Sequence, residues 1–358
     1  MKKSLIAIAV LAATSSAAFA QSNVTIYGIL DAGITSERGG AAGTVTKVTS
    51  GAASASRIGF KGTEDLGGGL SAIFKLEAGV RVDDGTLDNS ANRLFNREAY
   101  VGISSKTAGT LTIGRQYTPY YEVLRDVADP FGVGYAGTAK NLFPVASYMT
   151  RNDNAVVYKT PNLNGFTGAL SYSLGETAGD ASAQRQVGGS VGYSNGPLNV
   201  SLAYNSKNND TATLKTAGVG HNSMIAANYD FKIVKLYGAF SKDKGLGSAP
   251  LNGPATAYGY TFTASQNSND ALIGLTAPVG DTAGTVMASF IRKNDKDVAN
   301  RDADQWAIGY SYALSKRTST YVAYAKIKNK NGAGYTVGNN TETGTGDKAF
   351  NLGLKHSF

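Results

Sequence analysis

The chain offers few residues that could carry out catalysis or bind a metal. It contains 2 histidines and no cysteine. His221 and His356 are far apart in the sequence, so a Ser–His–Asp site has almost no candidate base. No histidine pair has the spacing of metal ligands, and no phosphate-binding loop is present. The sequence therefore predicts a protein that is not an enzyme and has neither cofactor nor metal.

Charged residues instead recur on the polar face of segments whose other face is apolar. Arg57 and Lys61 alternate with Ile58 and Phe60. Arg151 shares a face with Asp153 and Lys159 if Val156 and Tyr158 point the other way. Such alternation is the mark of a β-strand, and it places these cations on the side of a sheet that faces away from lipid. Some of them would be rim charges in solvent on the simpler interpretation.

The segments that must position these charges run through the whole chain. The last one places Phe350, Leu352 and Phe358 on one face, and the first places Val24 and Ile26 on one face, with polar or small residues between them. Most segments are about 8 to 13 residues long, close to the roughly 9 to 11 residues that a tilted transmembrane strand requires. None is continuously apolar, which argues against a buried parallel sheet.

Connections between the segments alternate between long and short, which predicts a barrel. Eight long and seven short connections predict 16 strands, and an even strand number with short turns at one end is typical of outer-membrane barrels. A barrel of this size leaves an aqueous channel. The long connections are expected near residues 36–53, 82–92, 116–150, 175–186, 206–221, 243–267, 293–303 and 328–346.

The N-terminus has the pattern of a secretory signal. Lys2 and Lys3 precede a short apolar run, and Ala18-Phe19-Ala20 forms an A-x-A cleavage site. Residues 1–20 are therefore predicted to be removed, leaving 21–358 as the barrel domain. The formal net charge is +8, including Lys2 and Lys3. No cluster of cations suits nucleic acid.

Several motifs resemble those of the general trimeric porins of Gram-negative bacteria, of the β-proteobacterial kind. The matching stretches cover the mature chain: Val24-Thr25-Ile26-Tyr27-Gly28, Ser56-Arg57-Ile58-Gly59-Phe60-Lys61-Gly62, Asn96-Arg97-Glu98-Ala99-Tyr100-Val101-Gly102, Thr112-Ile113-Gly114-Arg115-Gln116, Leu314-Ser315-Lys316-Arg317-Thr318 and Leu354-Lys355-His356-Ser357-Phe358. The resemblance implies an all-β transmembrane antiparallel up-and-down β-barrel of sixteen strands, a homotrimer, and a third long loop, about residues 116–150, that folds into the pore.

The resemblance also implies a pore constriction with charges on both sides. Arginines of the wall would be Arg57, Arg97 and Arg151, with Lys61 nearby. In a continuous strand Arg97 would point to the same side as the apolar Ala99 and Val101. Its place in the lumen therefore follows from the resemblance alone. The loop would contribute Glu122, Arg125, Asp126 and Asp129. Terminal Phe358 resembles the signal that the barrel-insertion machinery reads, and would also fit an aromatic girdle.

Together these features predict passive diffusion of small hydrophilic solutes and ions through an outer-membrane pore. Five cationic candidates against three anionic ones favour a weak preference for anions. A nearly unselective or weakly cation-preferring pore is the alternative if Arg97 faces lipid and the carboxylates line the opening. A sugar-specific channel or an adhesin barrel is a further alternative. Expected partners are outer-membrane lipid and lipopolysaccharide.

Overall fold

The computed structural model describes residues 23–89, 93–145, 147–280 and 283–358, with only the backbone of Ser147. The predicted signal segment lies outside the described residues. Seventeen strands lie in the described part: β1 (Asn23–Gly40), β2 (Gly43–Ser50), β3 (Arg57–Gly67), β4 (Leu70–Gly79), β5 (Glu98–Ser105), β6 (Gly109–Tyr117), β7 (Arg151–Lys159), β8 (Phe166–Ser173), β9 (Gln186–Asn195), β10 (Leu198–Asn208), β11 (Val219–Asp230), β12 (Lys235–Lys244), β13 (Asn267–Val279), β14 (Gly284–Asp295), β15 (Ala303–Ala313), β16 (Thr318–Asn329) and β17 (Lys348–Ser357).

All strand pairs are antiparallel, and the sheet closes on itself. From β3 to β17 each strand pairs with the next. The first strand, β1, completes the ring because it pairs with β17 through Ile29–Arg38 and with β3 through Asn23–Ile29. Closure leaves no free edge, which a sheet in lipid requires. The prediction of a sixteen-stranded barrel is confirmed.

The extra strand arises at the first long connection, where the prediction needs correction. Residues 36–53 were expected to form a loop, but β1 continues to Gly40 and turns back at once into β2. This short strand pairs with residues 32–40 of β1, on the same edge of β1 to which β3 pairs at residues 23–29. Together β2 and β3 form one broken barrel strand, interrupted at residues 51–56. Polar alternation in Thr44–Thr49 continues the strand pattern, so this loop is mostly a hairpin.

The other connections follow the predicted alternation of lengths. Short turns join strands at one end of the barrel, and the long connections lie at the other. One short turn shows the cause in the sequence: Gly67, Gly68 and Gly69 all have positive φ angles, which side chains with a Cβ rarely adopt. The Asp65 carboxylate accepts a hydrogen bond from the Gly67 N–H at 2.9 Å and fixes this turn.

Two faces with different chemistry result from the alternation. Apolar side chains such as Val24, Ile26 and Ile34 are exposed on the outer face of β1, whereas Asp31 and Thr35 of the same strand are buried inside. Aromatic pairs occupy the outer wall near the short turns, where Phe166 lies 4.5 Å from Tyr193 between ring centroids. The outer surface thus suits a lipid layer. No helix in the described ranges is both long and apolar enough to span a membrane.

The long connection after β6 turns into the barrel and supplies more of the buried apolar residues than any other single segment. It contains α1 (Pro119–Val123), a π-helical turn at Leu124–Ala128 and short 3₁₀ turns at Ala139–Asn141 and Ser147–Met149. Thr118 caps α1, because its hydroxyl accepts a hydrogen bond from the Tyr121 N–H at 3.1 Å. We call residues 118–150 the inner loop.

Candidate pore constriction

The inner loop is held against the inside of the wall by polar and apolar contacts. The Tyr120 hydroxyl lies 2.8 Å from the Ser241 hydroxyl of β12. Asn141 donates to the side-chain oxygen of Gln305 in β15 at 2.8 Å. The loop reaches as far as the interruption between β2 and β3, where the Tyr135 N–H donates to the carbonyl of Ala52. These contacts place the inner loop against β12, β15 and the interruption between β2 and β3.

Asp129, which the sequence analysis assigns to the constriction, is buried within the inner loop. Its side chain is only 3 % exposed. The carboxylate accepts hydrogen bonds from the backbone N–H groups of Phe131, Val133 and Ala139 at 2.8 to 3.0 Å. Burial raises the pKa of Asp129 to about 6, although these three donors favour the charged form. Asp129 therefore holds the tip of the inner loop in its turn.

Three predicted arginines meet around one tyrosine and one glutamate. The hydroxyl of Tyr117 accepts hydrogen bonds from Arg97 at 2.5 Å and from Arg151 at 2.6 Å. The Arg97 guanidinium is also 2.7 Å from the Glu77 carboxylate. Arg57 lies 3.9 Å from the same carboxylate, and its own donors bind the Ala55 carbonyl and the Ser54 hydroxyl. We call these five residues the arginine cluster: Arg57, Glu77, Arg97, Tyr117 and Arg151.

Arg97 points inward and joins the cluster, although the alternation of the residues after it would place it on the outer face. The next strand, β5, begins only at Glu98, so Arg97 lies in the bend before it and is not bound by the alternation that points Ala99 and Val101 outward. Its N–H donates to the carbonyl of Glu77 across the gap. The side chain is 5 % exposed and is surrounded by the inner wall. An irregular backbone thus turns this side chain inward.

Further charges continue the wall toward the short turns. Lys61 is exposed, with its Nζ 5.3 Å from the ring centroid of Tyr27. The Tyr27 hydroxyl donates to Glu77 at 2.7 Å. Lys75 is ion-paired with Glu98 and lies 3.7 Å from Glu77. Tyr27, Lys61, Lys75 and the arginine cluster therefore share the inner face of a wall that runs from β1 through β3 to β7.

The inner loop presents charges of both signs opposite this wall. Arg125 and Asp126 form a bidentate ion pair with both distances 2.7 Å, and this carboxylate raises the pKa of Arg125. The Arg125 guanidinium lies 5.1 Å from the centroid of the Tyr117 ring, which stacks on Tyr121. Glu122 accepts from Lys159 of β7 at 2.7 Å. The exposed carboxylate of Asp126 and the half-buried one of Glu122 thus each have a cationic partner.

Sequence reasoning missed several residues that the structure brings to this face. Lys75 and Glu77 alternate with Phe74, Leu76 and Ala78, so the periodicity that indicates β4 was a signal that could have found them. Tyr117 gave no such signal, because its importance comes from two arginines distant in sequence that converge on its hydroxyl. A bulge between Gly114 and Gln116 also disturbs the phase of β6 just before Tyr117.

Phe358 lies at the seam where the barrel closes. Its N–H and carbonyl each form a 3.1 Å hydrogen bond with the backbone of Gly28. A Cβ on Gly28 would lie 2.3 Å from the Phe358 ring, so only glycine leaves room for the ring. Gly28 is consequently buried, whereas Ala32 of the same strand is exposed.

Comparisons with known proteins agree with this architecture. A model of the Gram-negative porin family matches residues 7–332. An outer-membrane porin of Bordetella pertussis is 34 % identical, over 91 % of this chain and 94 % of the relative. An anion-selective porin from Comamonas acidovorans superposes with a TM-score of 0.75 at 28 % identity, over 94 % of this chain and 100 % of that structure. The trimer form of OmpT from Vibrio cholerae superposes with a TM-score of 0.65 at 15 % identity, over 94 % and 99 % of the two chains. The chain therefore belongs to the Gram-negative porin family and forms an outer-membrane channel, not an enzyme.

Proposed function

We propose that this protein is a homotrimeric diffusion channel for small hydrophilic solutes that passes anions somewhat better than cations. The observation that carries the selectivity is the imbalance of charge on the inner wall. Four cations each form an ion pair with one carboxylate: Arg97 with Glu77, Lys75 with Glu98, Arg125 with Asp126 and Lys159 with Glu122. Among the described residues, Arg57, Lys61 and Arg151 have no carboxylate at such a distance, and Glu77, 3.9 Å from Arg57, is already paired with Arg97. These three cations supply the net field of the constriction.

The field acts where a solute must pass near the wall. Rows of fixed charge in a narrow aqueous passage select ions by sign and orient polar solutes. Arg57 and Arg151 are held in place by neutral acceptors, namely carbonyl and hydroxyl oxygens. These acceptors orient the two guanidinium groups but carry no charge that would neutralise them. The relative from Comamonas acidovorans, described as anion-selective, supports the same sign at 28 % identity.

A cation-preferring pore requires two conditions that the contacts do not favour. Arg97 would have to face lipid, yet it binds Glu77 and Tyr117 inside the wall. Asp129 would have to line the opening, yet its carboxylate is taken up by three backbone donors. A sugar-specific channel remains the second alternative to be tested, by its different dependence on solute structure.

Assembly and processing complete the proposal. The trimer is supported by the trimer form recorded for OmpT of Vibrio cholerae and by the exposed apolar face around Ala32. Residues 1–20 direct export and are removed after Ala20, and Phe358 serves as the signal for the barrel-insertion machinery. The outer wall contacts outer-membrane lipid and lipopolysaccharide.

Two measurements on the purified protein test the function. In a planar bilayer with a KCl gradient, the reversal potential of the unmodified channel should have the sign of a modest anion preference. In liposomes, swelling rates for unrelated sugars should fall smoothly with solute size. A cationic reversal potential would refute the selectivity, and saturation by one sugar would favour a specific channel over a general one.

A further inference from the structure

A polar pocket lies on the inside of the barrel wall, toward the end where the long connections emerge. It has a volume of about 420 Å³ and lies where β7 and β9 begin and where β8 and β10 end. Lys207 of β10 points to the same side as the buried Asn205, whereas Tyr204 is exposed on the outer face. Gln186 of β9 is also buried, and its amide donates to the carbonyl of Tyr148 in the inner loop at 3.1 Å. The pocket therefore belongs to the interior of the barrel and not to the surface that faces lipid.

Cations outnumber carboxylates around this pocket, which we call the vestibule pocket. Its border contains Arg93, Arg115, Arg151 and Lys207, and Asp153 is the one carboxylate among the described residues of that border. Asp153 lies 2.6 Å from Arg115 and 3.0 Å from Arg93. Four positive charges less one negative charge leave a net charge of +3. One carboxylate shared by two arginines cannot neutralise both, so the pocket attracts anions.

Two of these cations keep donors free for a ligand. The Lys207 ammonium has neither a hydrogen bond nor an ion pair to any described residue, and its Nζ lies 4.1 Å from the centroid of the Tyr148 ring. Contact with an aromatic face positions an ammonium group without neutralising it. The Nε of Arg151 is buried and has no acceptor in the described part of the chain, although the same guanidinium donates to Tyr117. Because a buried donor without an acceptor is costly, an anion that accepts from it is favoured.

The rest of the border consists mainly of amide and hydroxyl groups: Asn152, Asn154, Ser173, Gln184 and Gln186. Such groups can both donate and accept hydrogen bonds, as the hydroxyl groups of a sugar also do. Guanidinium groups match the geometry of phosphate oxygens. Leu174 is the one aliphatic side chain larger than alanine among the described border residues, so an apolar solute would gain little. The chemistry of the pocket thus fits a ligand that carries both a phosphate group and hydroxyl groups.

We infer that the vestibule pocket binds small phosphorylated sugars before they enter the constriction. The phosphate lies among Arg115, Arg151 and Lys207, and the sugar hydroxyls contact the amide groups. The inference deepens the proposed function and rests on it, since the ligand is an anion that enters through the pore. Arg151 belongs both to this pocket and to the arginine cluster. A bound phosphate therefore lies next to the constriction, and its occupancy should obstruct the current of smaller ions.

The test records currents in KCl through the full-length channel in planar bilayers, with glucose 6-phosphate added at constant ionic strength. At about pH 7 this phosphate ester carries about two negative charges. Loss of one cation about 5 Å from such a ligand should raise the half-blocking concentration about fourfold in screened water. Lys207→Gln should show this increase, whereas Lys207→Arg keeps the charge and should resemble the unmodified channel. The matched control Lys242→Gln removes an exposed lysine of β12 that points away from the interior and should leave the block unchanged.

Other probes separate the parts of the ligand. Glucose should not block at concentrations where glucose 6-phosphate does, and inorganic phosphate should require a severalfold higher concentration because it lacks the sugar hydroxyls. Equal half-blocking concentrations for Lys207→Gln and the unmodified channel would overturn the inference, as would equal block by glucose 6-phosphate and inorganic phosphate. Because each recording needs an inserted channel, misfolding cannot imitate weaker block. A cationic reversal potential in KCl alone would refute the proposed function, whereas an anion-preferring channel without a block that depends on Lys207 would refute only the pocket.

Discussion

Removing two of the unneutralised arginines should shift ion preference toward cations. In the double variant Arg57→Ala with Arg151→Ala, the inner wall loses two positive charges that have no carboxylate of their own. Glu77 keeps its 2.7 Å ion pair with Arg97, and Tyr117 keeps the hydrogen bond from Arg97. The rest of the arginine cluster therefore stays in place, and the change in charge is the main effect.

The size of the shift follows from Coulomb's law in a water-filled passage. An ion about 5 Å from one arginine gains or loses about 0.8 kcal/mol at the dielectric constant of water. Salt with a screening length of about 8 Å reduces this to roughly 0.4 kcal/mol for each arginine. Removing both arginines therefore raises the free energy of an anion in the passage by about 0.8 kcal/mol and lowers that of a cation by the same amount. The anion-to-cation permeability ratio should therefore fall by on the order of tenfold.

The measurement is the reversal potential in planar bilayers under a KCl gradient. The matched control is Arg38→Ala with Lys316→Ala, which removes the same charge outside the passage and should leave the reversal potential nearly unchanged. The shift should shrink at high salt, because screening weakens all fixed charges. A double variant with the reversal potential of the unmodified channel, or an equal shift in the control, would show that the arginine cluster does not lie where ions pass.

The remaining predictions concern the loop, its protonation, and assembly. Asp129→Ala removes three hydrogen bonds to a charged acceptor and should destabilise the folded conformation of the inner loop by about 2 kcal/mol. Single-channel currents should then be larger and noisier, whereas Asp126→Ala should leave the noise unchanged. Lys140, in the 3₁₀ turn of the inner loop, donates to the carbonyl of Asn340. Burial and repulsion from Arg151 lower the pKa of Lys140 to about 8, so its positive charge is lost as pH rises from 7 to 9. Anion preference should fall slightly over that range, and Lys140→Met should abolish the change. N-terminal sequencing of the outer-membrane protein should begin at Gln21, and retention of Met1 would contradict export by a cleaved signal. Unheated protein in mild detergent should migrate as a trimer and become monomeric on boiling, while a monomer in several detergents would argue against the assembly.

Periodicity predicted the barrel because lipid imposes it on every strand. One face of each strand must be apolar and each backbone group must pair, so alternation is repeated in β1, β3 and β17, and the faces of Arg57 and Lys61 could be read directly from it. Connection lengths were also readable, since turns rich in glycine and asparagine differ from long connections in composition. These properties are local in sequence.

The site was less predictable because it depends on the places where local rules stop. Arg97 lies one residue before its strand, so alternation does not apply to it. The carboxylate of Asp129 is used inside the loop, and nothing in the loop's composition distinguishes it from the exposed Asp126. The interruption at residues 51–56 brings Ala52 to the loop and places Ser54 and Ala55 beside Arg57. Such contacts join segments distant in sequence, and only the folded chain brings them together.

The choice of partners around the arginines explains how a pore can hold fixed charge and still use it. A carboxylate beside each arginine would orient it well but would cancel its field at the short distances that matter to a solute. Here Glu77 is the one carboxylate of the cluster, and Arg97 is its nearest cation. Tyr117 holds Arg97 and Arg151 through a single hydroxyl oxygen, and its ring lies 4.3 Å from the Arg151 guanidinium. Hydrogen bonds to neutral oxygens and contact with an aromatic face fix the direction of a guanidinium while leaving its charge to act across the opening.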